Sequence, residues 1–133
     1  MSEKHSILIV EDDQDLRGIY KLGFEVEGFN VVEAVDGEDA TQKVFNGGID
    51  IVLLDLMLPK KSGQDVLKEI KENESTRDIP VVIFTALSYG KEKQMLEKFG
   101  FSAYLVKSQT SLDDAVSTVR QILVSEDKGE PKV

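Results

Sequence analysis

Short apolar segments recur five times along the chain, and polar or turn-forming residues bound each of them. They cover residues 6–10, 30–34, 50–54, 80–84 and 102–106, and they are rich in Val, Ile and Leu. Several are continuously apolar instead of alternating with polar residues, which is typical of strands covered on both faces. The pattern therefore predicts five β-strands, several of them covered on both faces.

Apolar residues at helical spacing occupy the stretches between and after these segments. The clearest sets are Leu16, Ile19, Tyr20 and Phe24; Val66, Leu67 and Ile70; and Leu112, Ala115, Val116, Val119, Ile122 and Leu123. Strands that alternate with helices imply parallel pairing through right-handed crossovers. We therefore predict one α/β domain, a (βα)5 three-layer sandwich with a parallel five-stranded sheet. Residues 125–133 have no apolar period, and we expect this polar tail to fray.

The composition limits the classes of partner without defining a function. The chain has 133 residues, a formal net charge of −9 and no cysteine. The lack of cysteine excludes disulfides, thiolate metal sites and a cysteine nucleophile. No apolar run approaches the roughly 20 residues of a membrane span, and a strongly acidic chain repels phosphate backbones and anionic lipid. We therefore expect a cytoplasmic domain that binds neither nucleic acid nor membranes.

Polar side chains that can bind ligands or take part in catalysis lie where the predicted strands end. Open parallel sheets bind their ligands at this edge. Glu11, Asp12 and Asp13 follow the first strand, and Asp55 follows the third. Taken alone, the three acids are typical of a solvated loop, with Asp13 or Asp15 capping the next helix. Asp55 changes this interpretation because a carboxylate at the edge of a buried strand needs a partner.

A divalent cation would provide that partner. Oxygen ligands without His or Cys favour Mg²⁺ over zinc. Thr85 ends the fourth strand and Lys107 follows the fifth. Each has an ordinary interpretation, as a strand residue and a surface lysine, but together with the acids they describe a phosphoryl-binding site with Asp55 as nucleophile.

The sequence resembles the receiver domain of two-component response regulators over residues 1–124. Five pieces carry the resemblance, in order and at the family's spacing: residues 7–13 (ILIVEDD), 36–40 (DGEDA), 53–59 (LLDLMLP) with Gly63, 80–86 (PVVIFTA) and 103–107 (AYLVK). No single piece is specific, but the set is. The resemblance implies a flavodoxin-like strand order, 2-1-3-4-5, and assigns residues 125–133 to a tail or a linker stub.

The resemblance also implies roles for the residues of the site. Asp55 would accept a phosphoryl group from a phosphohistidine, with Thr85 and Lys107 bonding phosphoryl oxygens. Mg²⁺ would be the cofactor, held by Glu11, Asp12, Asp55 and the backbone carbonyl of Met57. Thr85 and Tyr104 would form the switch, although a ring packed on the fifth strand is an equally ordinary role for Tyr104.

The function implied is a signalling switch. The donor would be a sensor histidine kinase or a histidine phosphotransfer protein. The surface of the fourth helix, fifth strand and fifth helix would change for a downstream protein target or an effector domain outside this sequence. We expect the fourth helix over about residues 88–99, with Lys91, Lys93 and Lys98 outward and few apolar residues. The domain would promote its own phosphorylation and dephosphorylation without being a turnover enzyme in the usual sense. Apolar residues at Met57 and Leu87, beside the acceptor and the threonine, favour slow hydrolysis.

Two alternatives belong to other functional classes. An aspartyl phosphatase of the haloacid dehalogenase type needs a second Asp two residues after the nucleophile, where this chain has Met57. A phosphate-independent interaction module is favoured only by Ser108, which replaces the proline that usually follows the lysine after a cis peptide bond. A cis bond before a residue other than proline costs about 3 kcal/mol, so this loop either carries that cost or is trans and aims Lys107 differently.

Overall fold

The computed structural model describes residues 4–88 and 90–127, without the side chains of residues 91–93 and 127. The strands are β1 (Ser6–Val10), β2 (Asn30–Ala34), β3 (Ile51–Leu54), β4 (Val81–Thr85) and β5 (Ala103–Val106). The helices are α1 (Gln14–Val26), α2 (Gly37–Phe45), α3 (Gly63–Glu72), α4 (Lys91–Glu97) and α5 (Leu112–Asp127), and a 3₁₀ turn spans Lys107–Gln109. The five predicted strands are confirmed, with ends shifted by at most one residue.

The strands form one parallel sheet in the order β2-β1-β3-β4-β5, so the predicted fold class is confirmed. The chain passes from β1 outward to β2 and then returns to place β3 on the other side of β1. This reversal lies between β1 and β3, and it leaves a crevice at their carboxyl ends because the connections on either side leave in opposite directions. The residues that follow these two strands therefore meet.

Burial on both faces explains the apolar runs of the three central strands, β1, β3 and β4, whereas the edge strands β2 and β5 are only partly buried. In β1, residues 7–10 are each at most 2% exposed. Successive side chains of a strand point to opposite faces, so Ile7 and Ile9 pack in a core with α1 and α5, whereas Leu8 and Val10 pack in a second core with α2, α3 and α4. The sheet is thus the middle of three layers.

Side-chain caps fix where the first three helices begin. Asp13 accepts a hydrogen bond from the N–H of Leu16 at 3.1 Å and caps α1, which confirms one of the two predicted caps. Asp36 and Ser62 cap α2 and α3 in the same way. Each cap satisfies one of the N–H groups that have no partner within the helix.

The last two helices differ from the sequence prediction in their bounds. Helix α4 is shorter than the predicted 88–99, and Gly90 at its start provides no side-chain cap. Its Leu96 is fully buried, whereas Met95 is 49% exposed; the predicted outward side chains of Lys91 and Lys93 lie outside the described residues. Helix α5 continues to Asp127, into the segment predicted to be a tail, and residues 128–133 lie outside the described residues.

Candidate metal and phosphoryl site

The candidate site lies at the carboxyl ends of β1, β3, β4 and β5. Glu11 and Asp55 directly follow the neighbouring strands β1 and β3, Thr85 is the last residue of β4, and Lys107 directly follows β5. Four strands of one parallel sheet thus deliver an acid, a second acid, a hydroxyl and an ammonium to one edge. The sheet brings together residues that are up to 96 positions apart in sequence.

Three carboxylates form the acidic part of the site. Glu11, Asp12 and Asp55 each offer an oxygen, and these oxygens lie within 4.8 Å of one another. Glu11 is 3% exposed and Asp55 is 6% exposed, whereas Asp12 is open to solvent. Hard oxygen donors with one open side suit Mg²⁺, which keeps several waters when bound. The donor set therefore fits this ion.

Lys107 joins the two buried acids. Its Nζ donates a hydrogen bond to Oε1 of Glu11 and another, at 2.8 Å, to Oδ2 of Asp55. Burial acts to lower the pKa of the Lys107 ammonium, but the hydrogen bonds to Asp55 and Glu11 outweigh it and the pKa is raised above its ordinary value. Burial raises the pKa of the Glu11 carboxyl, against the opposing effect of the bond from Lys107. The ammonium therefore stays charged and occupies the acids at neutral pH.

The second oxygen of Asp55 is held from two other directions. Oδ1 accepts a hydrogen bond from the Thr85 hydroxyl at 2.9 Å and one from the N–H of Met57 at 3.1 Å. Met57 itself is 56% exposed, so an apolar side chain stands at the rim beside Asp55. These bonds fix the carboxylate in one orientation.

Tyr104 is connected to this threonine through one short segment of backbone. The N–H of Leu87 donates to Oγ1 of Thr85 at 3.4 Å, and the hydroxyl of Tyr104 donates to the carbonyl of Leu87 at 3.0 Å. The Tyr104 ring also packs edge-on against Phe101, with 6.1 Å between the ring centroids. The ring of Tyr104 therefore has an ordinary packing contact, with Phe101, and its hydroxyl also bonds the loop after β4. These contacts are compatible with both interpretations of Tyr104.

The backbone after Asp55 requires a glycine at position 63. A Cβ atom on Gly63 would lie 2.1 Å from the carbonyl oxygen of Asp55 and 2.6 Å from Cα of Leu56. The N–H of Gly63 donates to the carbonyl of Leu56 at 3.0 Å. The start of α3 therefore packs directly against the backbone of Asp55, and a side chain at position 63 would displace it.

The peptide bond between Lys107 and Ser108 is trans, since the described residues contain no cis peptide bond. Lys107 begins the 3₁₀ turn and still reaches both acids. The replacement of proline by Ser108 therefore leaves the lysine in the position that the site needs.

Sequence reasoning missed Arg17 as a part of this site. Its guanidinium donates to the backbone carbonyl of Glu11 at 2.9 Å and to Oε1 of Glu33, on β2, at 3.1 Å. A signal was present in the sequence, because a cation one turn into a helix that starts with acids opposes the helix dipole and needs another reason. The partner on β2 could not be found without the sheet.

Other concave surfaces lie away from these residues. A cavity of about 670 Å³ is lined by Lys71, Arg77, Phe101 and residues of α5, near the start of β5 and thus at the opposite edge of the sheet. It contains none of Glu11, Asp12, Asp55, Thr85 or Lys107, so we place the chemistry at the acidic crevice. Among the described residues, no helix has the length and apolar character that crossing a bilayer requires.

Comparisons with known proteins agree with this geometry. A family model described as "Response regulator receiver domain" matches residues 7–120. The chain is 37% identical over 119 residues to the transcriptional regulatory protein CpxR of Escherichia coli, covering 90% of this chain and 49% of that protein. It is 34% identical over 117 residues to the response regulator ArlR of Staphylococcus aureus, covering 88% and 52%. The chain thus spans about half the length of these curated relatives.

Solved structures share the same architecture. A response regulator receiver domain protein (CheY-like) from Methanospirillum hungatei superposes with a TM-score of 0.88 at 22% identity, covering 96% of this chain and 99% of that one. The signal receiver domain of a putative Luxo repressor protein from Vibrio parahaemolyticus gives a TM-score of 0.83 at 28% identity, covering 98% and 100%. The first of these likenesses concerns the fold alone.

Proposed function

The chain belongs to the family of response regulator receiver domains, the phosphoacceptor domains of two-component signalling, and from this premise we propose that Asp55 is its phosphoacceptor. The observation that carries this assignment is the convergence of three groups on one carboxylate. Thr85 and the N–H of Met57 hold Oδ1, and Lys107 holds Oδ2. No other described acid has a hydroxyl, a backbone N–H and an ammonium among its contacts.

The reaction is a transfer from a phosphohistidine to the Asp55 carboxylate. A carboxylate oxygen forms a bond to phosphorus, the bond from phosphorus to the imidazole nitrogen breaks, and the leaving imidazole recovers its electron pair. The Lys107 ammonium is already poised over the acids, so it pairs with phosphoryl oxygens as their charge develops. The bonds from Thr85 and Met57 keep the carboxylate in line for attack.

Glu11, Asp12, Asp55 and the backbone carbonyl of Met57 would hold Mg²⁺. When bound there, the ion neutralises charge on the phosphoryl oxygens and on the carboxylates. The three acids support this assignment through their mutual distances and their oxygen chemistry. Lys107 bonds two of these three acids, Glu11 and Asp55, so the ammonium would share them with a bound ion and lies within reach of a phosphoryl group on Asp55.

Phosphorylation at Asp55 adds a charge of about −1.5 to −2 and three strong acceptor oxygens. The Thr85 hydroxyl would exchange its bond to Oδ1 for one to the phosphoryl group, and it would draw the backbone at Leu87 with it. Because the Tyr104 hydroxyl is bonded to the carbonyl of Leu87, the ring would then have to move or lose that partner. The surface formed by α4, β5 and α5 changes as a consequence.

The partners follow from the class of the domain. The donor is a sensor histidine kinase or a histidine phosphotransfer protein, and the recipient of the signal is a downstream protein or an effector domain. We assign the receiver domain to residues 1–124 and a polar tail or linker to 125–133, with the last three residues of α5 extending into that segment. The cytoplasmic location stays a prediction. A phosphate-independent interaction module is less favoured, because it would have no need for an acid, a hydroxyl and an ammonium assembled on Asp55.

Intact-mass spectrometry tests the assignment. We expect the wild-type chain to gain one phosphoryl group when it is incubated with Mg²⁺ and a small acyl phosphate, and to gain none when a chelator replaces the ion. Asp55→Ala should gain none, whereas Asp78→Asn, which alters an exposed acid outside the site, should match the wild type. Phosphorylation of Asp55→Ala, or no gain by the wild type together with an unchanged spectrum on adding beryllofluoride, would contradict the proposal.

A further inference from the structure

Arg17 is held by two acceptors from different parts of the chain. It lies one turn into α1, and its side chain is only 13% exposed. One nitrogen of the guanidinium donates to the carbonyl of Glu11 at 2.9 Å, and Nε donates to Oε1 of Glu33 at 3.1 Å. Arg17 therefore ties the loop after β1 to the end of β2.

The bond to the Glu11 carbonyl controls the peptide unit that joins Glu11 to Asp12. Two neighbouring backbone groups of this loop are also bonded, since the N–H of Glu11 donates to the carbonyl of Ala34 at 3.2 Å and the N–H of Asp13 donates to Oε2 of Glu11 at 3.1 Å. Neither bond reaches the Glu11 carbonyl, which accepts from Arg17 instead. The direction in which Asp12 leaves the chain depends on the orientation of this peptide plane.

Asp12 needs such support more than the other two acids do. Glu11 and Asp55 are buried and bonded to Lys107, whereas Asp12 is exposed. An exposed carboxylate on a free loop would lose conformational freedom on binding an ion, and that loss weakens binding. A restrained peptide plane removes part of this cost before the ion arrives.

We propose that Arg17 is a positioning residue for the metal ligands, fixing the Glu11–Asp12 peptide so that the acids are preorganised for a divalent cation. This inference rests on the proposed function, because it assumes that Glu11, Asp12 and Asp55 form the metal site. Glu33 accepts a hydrogen bond from Nε of Arg17 and so orients the guanidinium toward the carbonyl of Glu11. Outer groups that orient metal ligands typically change affinity by about 10-fold to 100-fold when they are removed.

Charge alone makes the opposite prediction. Arg17 is a cation close to an acidic site, so its simple electrostatic effect is to repel a second cation. Removing it would then tighten metal binding, and replacing it with lysine would leave binding unchanged. Positioning predicts weaker binding in both cases, since a lysine ammonium keeps the charge but lacks the planar fork that serves two acceptors at once.

The experiment measures the binding of Mn²⁺ by electron paramagnetic resonance, in which the signal of the free ion is lost on binding. Mg²⁺ is added as competitor. We expect Arg17→Met to raise the dissociation constant about tenfold and Arg17→Lys to raise it by a smaller factor. The matched control is Lys21→Met, which removes a cation from the same helix and from the same Glu33, at 3.6 Å, without touching Glu11. Its affinity should equal or slightly exceed that of the wild type.

Urea unfolding in chelator separates positioning from a general loss of stability. A purely structural role would lower the unfolding free energy of Arg17→Met and leave the affinity of its folded form unchanged, and that result would overturn the proposal. Binding by either Arg17 variant at least as tight as the wild type, or an equal loss in Lys21→Met, would also overturn it. If the wild type bound neither Mn²⁺ nor Mg²⁺, both this inference and the proposed metal site would be wrong. If the wild type bound the ions and was phosphorylated, but the Arg17 variants bound them with unchanged affinity, only the role of Arg17 would be overturned.

Discussion

Lys107→Met isolates the energetic role of the ammonium between the two buried acids. Methionine keeps an unbranched apolar stem but leaves Glu11 and Asp55, whose side chains are 4% and 7% exposed, facing each other without a counter-charge. A pair of unit charges about 4 Å apart interacts by roughly 4 kcal/mol at an effective dielectric constant of 20. Breaking a buried ion pair by removing one partner costs about 3–5 kcal/mol.

The lower end of that range applies here. The Lys107 side chain is 17% exposed at the edge of the sheet, so water already screens part of the interaction. We therefore expect the unfolding free energy in chelator at pH 7.5 to fall by about 3 kcal/mol, which corresponds to roughly 10 °C in melting temperature for a domain of this size. Saturating Mg²⁺ should narrow the deficit, because the ion supplies the missing positive charge.

The pH dependence has a definite sign. The pKa of Lys107 is raised in the folded state, so its contribution is complete at neutral pH and is lost only as the pH rises above 10.5. Burial already raises the pKa of Glu11 above 4.5, and removing Lys107 raises it further. The folded variant then takes up a proton more readily than the unfolded chain, so its deficit should shrink as the pH falls from 7.5 toward 4.5.

Urea unfolding followed by circular dichroism, with and without Mg²⁺, is the assay. Lys21→Met serves as the control, since it removes an exposed ammonium and should change the unfolding free energy by less than about 0.5 kcal/mol. A Lys107→Met protein within this margin of the wild type in chelator would refute the reasoning, as would a deficit that grows on acidification toward pH 4.5.

Two further substitutions test the contacts around Asp55. Thr85→Ala removes the hydroxyl bonded to Asp55 at 2.9 Å. Intact mass should still show phosphorylation, but the change in the Tyr104 amide NMR shift on phosphorylation should shrink, whereas Thr85→Ser should retain that change. An undiminished change in Thr85→Ala would count against the proposed switch. Gly63→Ala places a Cβ 2.1 Å from the Asp55 carbonyl oxygen and should lower the unfolding free energy by more than about 2 kcal/mol. Its control, Gly18→Ala, has open space within 4 Å and should gain about 0.5–1 kcal/mol, and thermal unfolding that ranks the two the other way would contradict this account.

That the candidate site residues lie close together was predictable from the sequence, because it follows from the topology of the sheet. Once strands and helices alternate, parallel pairing places every strand's carboxyl end at one edge, and Glu11, Asp55, Thr85 and Lys107 all stand at such ends. The cap at Asp13 was predictable for a local reason, since it needs only the N–H three residues further on.

The contacts between distant side chains were not predictable in the same way. The pair formed by Arg17 and Glu33 depends on β2 lying beside β1, and the bond from Tyr104 to the carbonyl of Leu87 depends on how the loop after β4 turns. The bounds of α4 also departed from the prediction, because seven residues with one fully buried apolar side chain give little periodic signal. Tertiary packing decides such short elements.

The sequence by itself determined the class of the molecule and the chemistry it carries. Its apolar periods specify strands covered on both faces, and the residues after those strands supply acids, a hydroxyl and an ammonium with no competing cysteine or histidine cluster. Only the tertiary structure decided which oxygen each group holds, that the Lys107–Ser108 peptide is trans, and that Arg17 donates to the carbonyl of Glu11. The physical reason is that period and composition act along the chain, whereas a hydrogen bond requires two atoms within about 3 Å, and that distance is set by the packing of the whole sheet.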